Sequence, residues 1–208
     1  MWPMDYELVN QRDSHHLSDS FTQQRYIQMM RVTPNNPEMV LDIGVGSGSG
    51  GSVVKKYFPD TQLFGIDVVG SRTIVKSGVY KEISYGSIIE SQYSDESFDL
   101  ILAAELIEHI SVSEIESFLH EVFRLLKHDG VFILTTPNPN SIKLKLRGGS
   151  VLGSSHLSQH YIRETKLRLK LSSFRINKCL GTGKTSLYLG RKFPKILYGS
   201  FLIVASKS

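Results

Sequence analysis

From Met39 to Ala205 the chain alternates short apolar runs of strand length with segments of helical period, and this alternation limits its fold more than any other feature. The runs Met39 to Ile43, Leu63 to Val69 and Phe98 to Ala104 are apolar on both faces, as strands buried between helices require. Weaker strand signals cover Lys81 to Tyr85, Val131 to Thr135, Arg175 to Leu180 and Ser200 to Ala205. Ser49 to Phe58 reads as a helix stopped by Pro59. Ser113 and Glu116 have the spacing of a capping box, after which Ile115, Phe118, Leu119, Val122, Leu125 and Leu126 recur at helical spacing until Gly130. Tyr161 to Leu171 predicts another helix, and Pro137 and Pro139 end the fifth strand. Together these elements predict an α/β chain: a doubly wound, Rossmann-like, mostly parallel sheet of about seven strands with helices on both faces.

Two hundred and eight residues suit one core. Prolines between Val32 and Pro37 set a mild boundary, which divides the chain into an N-terminal helical segment or lid, 1–37, and a main domain, 38–208. The longest apolar runs, such as Phe201 to Ala205, are far below the roughly 20 residues of a membrane-spanning helix. The start of the chain carries Asp5 and Glu7 and lacks an apolar stretch, so a soluble, cytoplasmic protein is expected. Cys179 is the only cysteine and is assigned to packing. The net charge of +4 conceals a division: residues 1–138 hold 10 Lys and Arg against 19 Asp and Glu, and residues 139–208 hold 14 against Glu164 alone. That basic third favours an anionic partner.

Between the first strand and the first core helix lies VLDIGVGSGSGG, Val40 to Gly51. Gly44, Gly46 and Gly48 can take positive φ and let backbone approach a ligand where a Cβ would collide. Asp67 ends the next strand about 20 residues on, where a carboxylate can accept both hydrogen bonds of a ribose diol. Asp42 lies two residues before Gly44, where it would repel a pyrophosphate and welcome an ammonium or sulfonium group.

With these residues in place the sequence resembles the class I S-adenosylmethionine-dependent methyltransferases of small-molecule type. VLDIGVGSG resembles their first motif, LFGID their ribose-binding strand end, FDLILAAELIEHI their fourth-strand segment, and HEVFRLLKHDGVFILTTPNP the helix and fifth strand that follow. The resemblance covers Met39 to Pro139, about half the chain. It implies S-adenosyl-L-methionine as cofactor, with its methionine end against Asp42, Gly44, Gly46 and Gly48 and its ribose on Asp67. Adenine would lie near Val68, Ser87 and Ile88; Ser87 stands where relatives often carry an acid, and Glu90 is a candidate substitute. Ala103, Ala104 and Glu105 would border the sulfonium.

Acceptors that lose a proton need a base nearby, and Glu105, Glu108, His109, His156 and His160 are the candidates, with Glu105 and His109 assigned as catalytic. If helical, Glu105, Glu108 and His109 share one face. With His156 or His160 they would resemble the two-glutamate, two-histidine metal site of small-RNA 2′-O-methyltransferases. The pattern also occurs in metal-free small-molecule enzymes, and no metal is assigned. His15 and His16 are read as solvated, and GTGKT at Gly181 to Thr185 as a turn, since Lys178 replaces the glycine that a phosphate loop needs. The expected function is methyl transfer to an O or N atom of a small acceptor, anionic or sugar-containing, recognised by Arg147, Arg163, Arg168 and neighbouring lysines. The alternatives are a metal-dependent RNA 2′-O-methyltransferase and a non-catalytic nucleotide-binding module.

Overall fold

The computed structural model describes residues 19–34, 36–69, 78–153, 155–183, 186 and 194–207. His15, His16, Lys184 and Thr185, read above as a solvated pair and as part of a turn, lie outside the described residues, as does most of the predicted N-terminal segment. Seven strands form one sheet: β1 Met39–Ile43, β2 Gln62–Asp67, β3 Glu82–Tyr85, β4 Phe98–Ala104, β5 Leu126–Pro137, β6 Arg175–Thr182 and β7 Ser200–Ser206. Their order is β3-β2-β1-β4-β5-β7-β6. The five strands from β3 to β5 are parallel, and β7 runs antiparallel to both β5 and β6. The predicted doubly wound, mostly parallel sheet is thus the fold.

The strands divide their side chains with period two between two cores. Val40, Leu63, Leu100, Leu102, Ile133 and Val204 face helices α1 (Asp19–Met30) and α2 (Ser49–Tyr57), meeting Tyr26, Met29, Met30, Val53 and Val54. Leu41, Phe64, Ile101, Phe132 and Ile203 face the other way, against Phe118, Leu119 and Val122 of α3 (Ile115–Leu125) and Leu169 of α5 (Ile162–Leu171). A short helix, α4 (Ile142–Leu146), follows β5. Among the described residues no helix is long and apolar enough to cross a membrane.

Three local readings are corrected. The capping box does not form: the residue before α3 is Glu114, without a side-chain cap, and the Ser113 hydroxyl meets that of Ser111 at 2.9 Å. The helix stops at Leu125 rather than near Gly130, because Leu126 pairs with Phe98 and opens β5 ahead of a register shift. Glu105 is not helical: only Ile107–His109 forms a 3-10 turn, so Glu105 does not share a helix face with Glu108 and His109.

Candidate active site at the carboxyl ends of the strands

Parallel strands that alternate with helices end together, and the loops beyond those ends carry the predicted site residues. Gly44, Gly46 and Gly48 have φ of 79°, 53° and 74°, the left-handed backbone that glycine adopts without penalty. Gly46 is exposed at the loop's tip, and its N–H donates to Asp67 Oδ2 at 2.8 Å. Val69 N–H donates to Oδ1 of the same carboxylate at 2.9 Å. Asp67 is therefore held by backbone at the end of β2, beside the glycine loop, with lone pairs left over for a diol. Burial raises its pKa, against which the Val69, Gly46 and Val68 N–H groups act. Val68 is half-buried next to it. Ser87 accepts from Ile89 N–H at 3.3 Å and starts the turn Ile88–Glu90, in which Ile88 is buried. The ribose and adenine ends of S-adenosylmethionine thus fit the residues present: a cradle of positive φ, a pre-held acid and an apolar wall.

Asp42 is the acid expected at the methionine end. Asp42 is fully buried, and its two oxygens accept from the phenols of Tyr26 and Tyr80, the latter at 2.5 Å. Each carboxylate oxygen is thus covered by a phenol. Gly50 and Gly51 make this possible, because a Cβ on the first would run into the Tyr26 ring and on the second into the Tyr80 ring. Burial lifts the Asp42 pKa from 3.8 to about 6, although both phenols donate to the charged form. The phenols are themselves pushed well up, chiefly by burial, and remain donors. Since the folded value lies above the unfolded one, this group's contribution is fully present below about pH 4 and is lost as pH rises through 6, by up to roughly 3 kcal/mol. Asp42→Asn is expected to remove that term, so that wild-type and variant stabilities, measured by urea unfolding, diverge in slope between pH 4 and 6. Parallel curves would contradict the burial of a titrating acid.

Beyond β4, Ala103 is buried, Ala104 half-buried, and Glu105 has φ of 51°, an uncommon conformation for a side-chain-bearing residue. Its N–H donates to Thr135 O at 3.0 Å. Its Oε2 meets Arg25 of α1 and the Ser200 hydroxyl, each at 3.2 Å, while Oε1 is buried with no hydrogen-bond partner among the described residues. Glu108 is fully buried; Thr136 donates to its Oε2 at 2.9 Å, and its Oε1 has no partner among the described residues. Burial first, then the Glu105 charge, pushes its pKa well up. The His109 and His156 rings meet edge to face at 4.9 Å, whereas His160 turns away, its Nε2 engaged by Ser158 Oγ at 2.8 Å and Ile107 O at 3.0 Å. Burial lowers the His160 pKa, which suits a neutral ring inside this network.

Sequence reasoning missed Tyr26, Tyr80, Arg25 and Thr136. Helix α1 carries two of these, and its Gln28 also accepts from Thr182 and from Gly183 N–H, the latter at 3.3 Å, at the end of β6. The helix therefore touches residues at the ends of β1, β4 and β6.

Beside β5 opens a cavity of about 310 Å³ whose wall includes Asn138, Lys143, Arg147, Val151 and His156. A second hollow, about 280 Å³, lies at the opposite end of the sheet near Glu38, Asp99 and Gly130, away from these residues.

Residues 41–134 match the family model described as a methyltransferase domain. The ribosomal RNA small subunit methyltransferase G of Chlorobaculum tepidum is 31% identical over 46% of this chain and 44% of its own. A protein of Mycolicibacterium smegmatis, described as a probable S-adenosylmethionine-dependent methyltransferase, is 26% identical over 68% of this chain and 54% of its own. The chain spans about half the length of these curated relatives. In structure it resembles the 1,6-didemethyltoxoflavin-N1-methyltransferase of Burkholderia thailandensis, solved with bound 1,6-didemethyltoxoflavin and S-adenosylhomocysteine, at a TM-score of 0.70 and 15% identity over 96% of this chain and 83% of that one. The domain match runs from β1 into β5 and takes in the loops that carry Asp67 and Glu105, and over this stretch the chain is similar to S-adenosylmethionine-dependent methyltransferases.

Proposed function

We propose that the protein transfers the methyl group of S-adenosylmethionine to an oxygen or nitrogen of a small, anionic acceptor seated in the cavity beside β5. When bound, the cofactor supplies an electrophilic methyl on a positive sulfur, which leaves as a neutral thioether. Asp67 would hold the ribose hydroxyls and Val68, Ser87 and Ile88 the adenine, while Tyr26 and Tyr80 relay the negative field of Asp42 toward the ammonium end. Lys143 and Arg147 in the cavity wall offer charge-assisted hydrogen bonds to an acceptor carboxylate or phosphate. Holding acceptor and methyl in line supplies about 7–11 kcal/mol of the barrier reduction. As the new bond forms, the acceptor's proton passes to a side chain at the end of β4.

The observation that carries this reading is Glu105: a residue bent into the left-handed region immediately after β4, with one buried carboxylate oxygen lacking a hydrogen-bond partner among the described residues. Arg25, at 3.2 Å from the other oxygen, fixes the orientation of the carboxylate and ties α1 to the end of β4. His109 is the second proton carrier in this reading. Glu105→Gln preserves size and is expected to lower turnover at saturating donor by 100-fold or more, within the range of general base catalysis. Donor consumption is followed with a panel of carboxylated, phosphorylated and neutral sugar or heterocyclic acceptors. Undiminished turnover in the variant would remove Glu105 from proton transfer, and turnover confined to RNA would replace the small acceptor with a nucleic acid.

A further inference from the structure

The turn after β4 and the loop before α5 are locked together in a way that methyl transfer by positioning and a base does not require. Leu157 N–H and Ser158 N–H both donate to Glu108 O, at 2.8 and 3.1 Å, and the Ser158 hydroxyl lies within reach of Ile107 O and Ile110 O at 3.2 and 2.9 Å. This fastening sets His156 against His109 and Glu108. One ligand atom from each of Glu108, His109 and His156 lies within 4.8 Å of the others. The Glu108 side chain is fully buried, and its Oε1 has no hydrogen-bond partner among the described residues although Thr136 satisfies Oε2. A buried carboxylate oxygen left without a donor costs free energy unless something positive meets it. His156 Nδ1 stands 2.8 Å from Val151 O, so Nδ1 carries the proton and Nε2 presents its lone pair, the arrangement by which a carbonyl orients a ligating imidazole.

We propose that Glu108, His109 and His156 form a binding site for one first-row divalent cation in the wall of the acceptor cavity. One carboxylate and two imidazoles are ligands suited to zinc, manganese, iron or cobalt, at bonds of about 2.0–2.2 Å. Glu105 and His160 are not in the set: neither belongs to the cluster of ligand atoms within 4.8 Å of one another, and the His160 Nε2 is already engaged by Ser158 and Ile107 O. Three protein ligands leave coordination positions open, and His156 joins the site to the cavity that it also lines. Resting on the acceptor reading above, the cation selects acceptors with an oxygen or nitrogen donor at the methylated atom or beside it.

The probe is Co²⁺ titrated into the full chain, read by visible absorption and calorimetry. One Co²⁺ per chain is expected, displaced by Zn²⁺. His156→Ala, at a half-buried position that tolerates truncation, is expected to weaken binding 10- to 100-fold, and Glu108→Gln at least as much. A His15→Ala, His16→Ala double variant removes the other conspicuous histidine pair and is expected to bind as wild type. S-adenosylhomocysteine binding, followed in parallel, should persist in His156→Ala, which shows that the fold is intact. The proposal is overturned if wild type binds no Co²⁺ saturably, or if His156→Ala binds it unchanged. Loss of S-adenosylhomocysteine binding by wild type would instead defeat the methyltransferase reading and leave the Co²⁺ result standing.

Discussion

Asp67→Ala is expected to weaken S-adenosylmethionine binding by 100-fold or more in calorimetry. The carboxylate is held at 2.8 Å by Gly46 N–H and at 2.9 Å by Val69 N–H, so a ribose meets an acceptor that is already fixed. Two hydrogen bonds to a charged group, at about 1.5–3 kcal/mol each, account for a loss of that size. Truncation also frees the Gly46 amide and loosens the glycine loop, which adds to the loss. Asp67→Asn keeps one acceptor oxygen and should lie between the two. An Asp67→Ala protein with wild-type affinity would show that the ribose is held elsewhere.

The second large effect is on stability, and its sign runs against helix propensity. In an ordinary exposed helix, replacing glycine by alanine stabilises by up to about 1 kcal/mol. Gly50→Ala and Gly51→Ala, both within α2, are each expected to destabilise by about 3–5 kcal/mol in urea unfolding. The new methyl would drive into the ring of Tyr26 or Tyr80, and overpacking of this kind costs about 1–3 kcal/mol. Displacing the ring also takes a hydroxyl from the buried Asp42 carboxylate, another 1.5–3 kcal/mol. Steric and electrostatic losses together exceed the propensity gain. A neutral or stabilising result at either position would show that the tyrosines do not clamp Asp42.

The fold was largely legible because strand signals are local. Val40, Leu63 and Leu102 alternate with Leu41, Phe64 and Ile101 to fill two cores, and the runs in which they stand are mostly apolar on both faces. Boundaries that depend on partners were not: Leu126 reads as the end of a helical stripe and becomes a strand residue because Phe98 pairs with it. Asp67 and the loop glycines could be found from spacing. The tyrosine clamp could not, since Tyr26 and Tyr80 stand 16 and 38 residues from Asp42 with no periodic relation to it. One signal was present in Gly50 and Gly51. Two further glycines inside a helix, beyond those needed for the loop's turns, mark a close approach, but here they admit aromatic rings and not a ligand. Glu105, Glu108 and His109 were recognised as a group, yet their division between an ion pair, a buried orphan and a histidine contact follows from the 3-10 turn that forms there in place of a helix.

Lys143 and Arg147 at the cavity lie in the part of the chain where 14 basic residues face one acid, downstream of 138 residues whose balance is acidic. Two cations in one cavity wall set up a positive potential that reaches beyond contact distance. Over a Debye length of about 8–10 Å it would draw a negatively charged acceptor of the proposed kind toward that cavity. Encounter rates with such acceptors should then fall as ionic strength rises, while rates with uncharged analogues stay level.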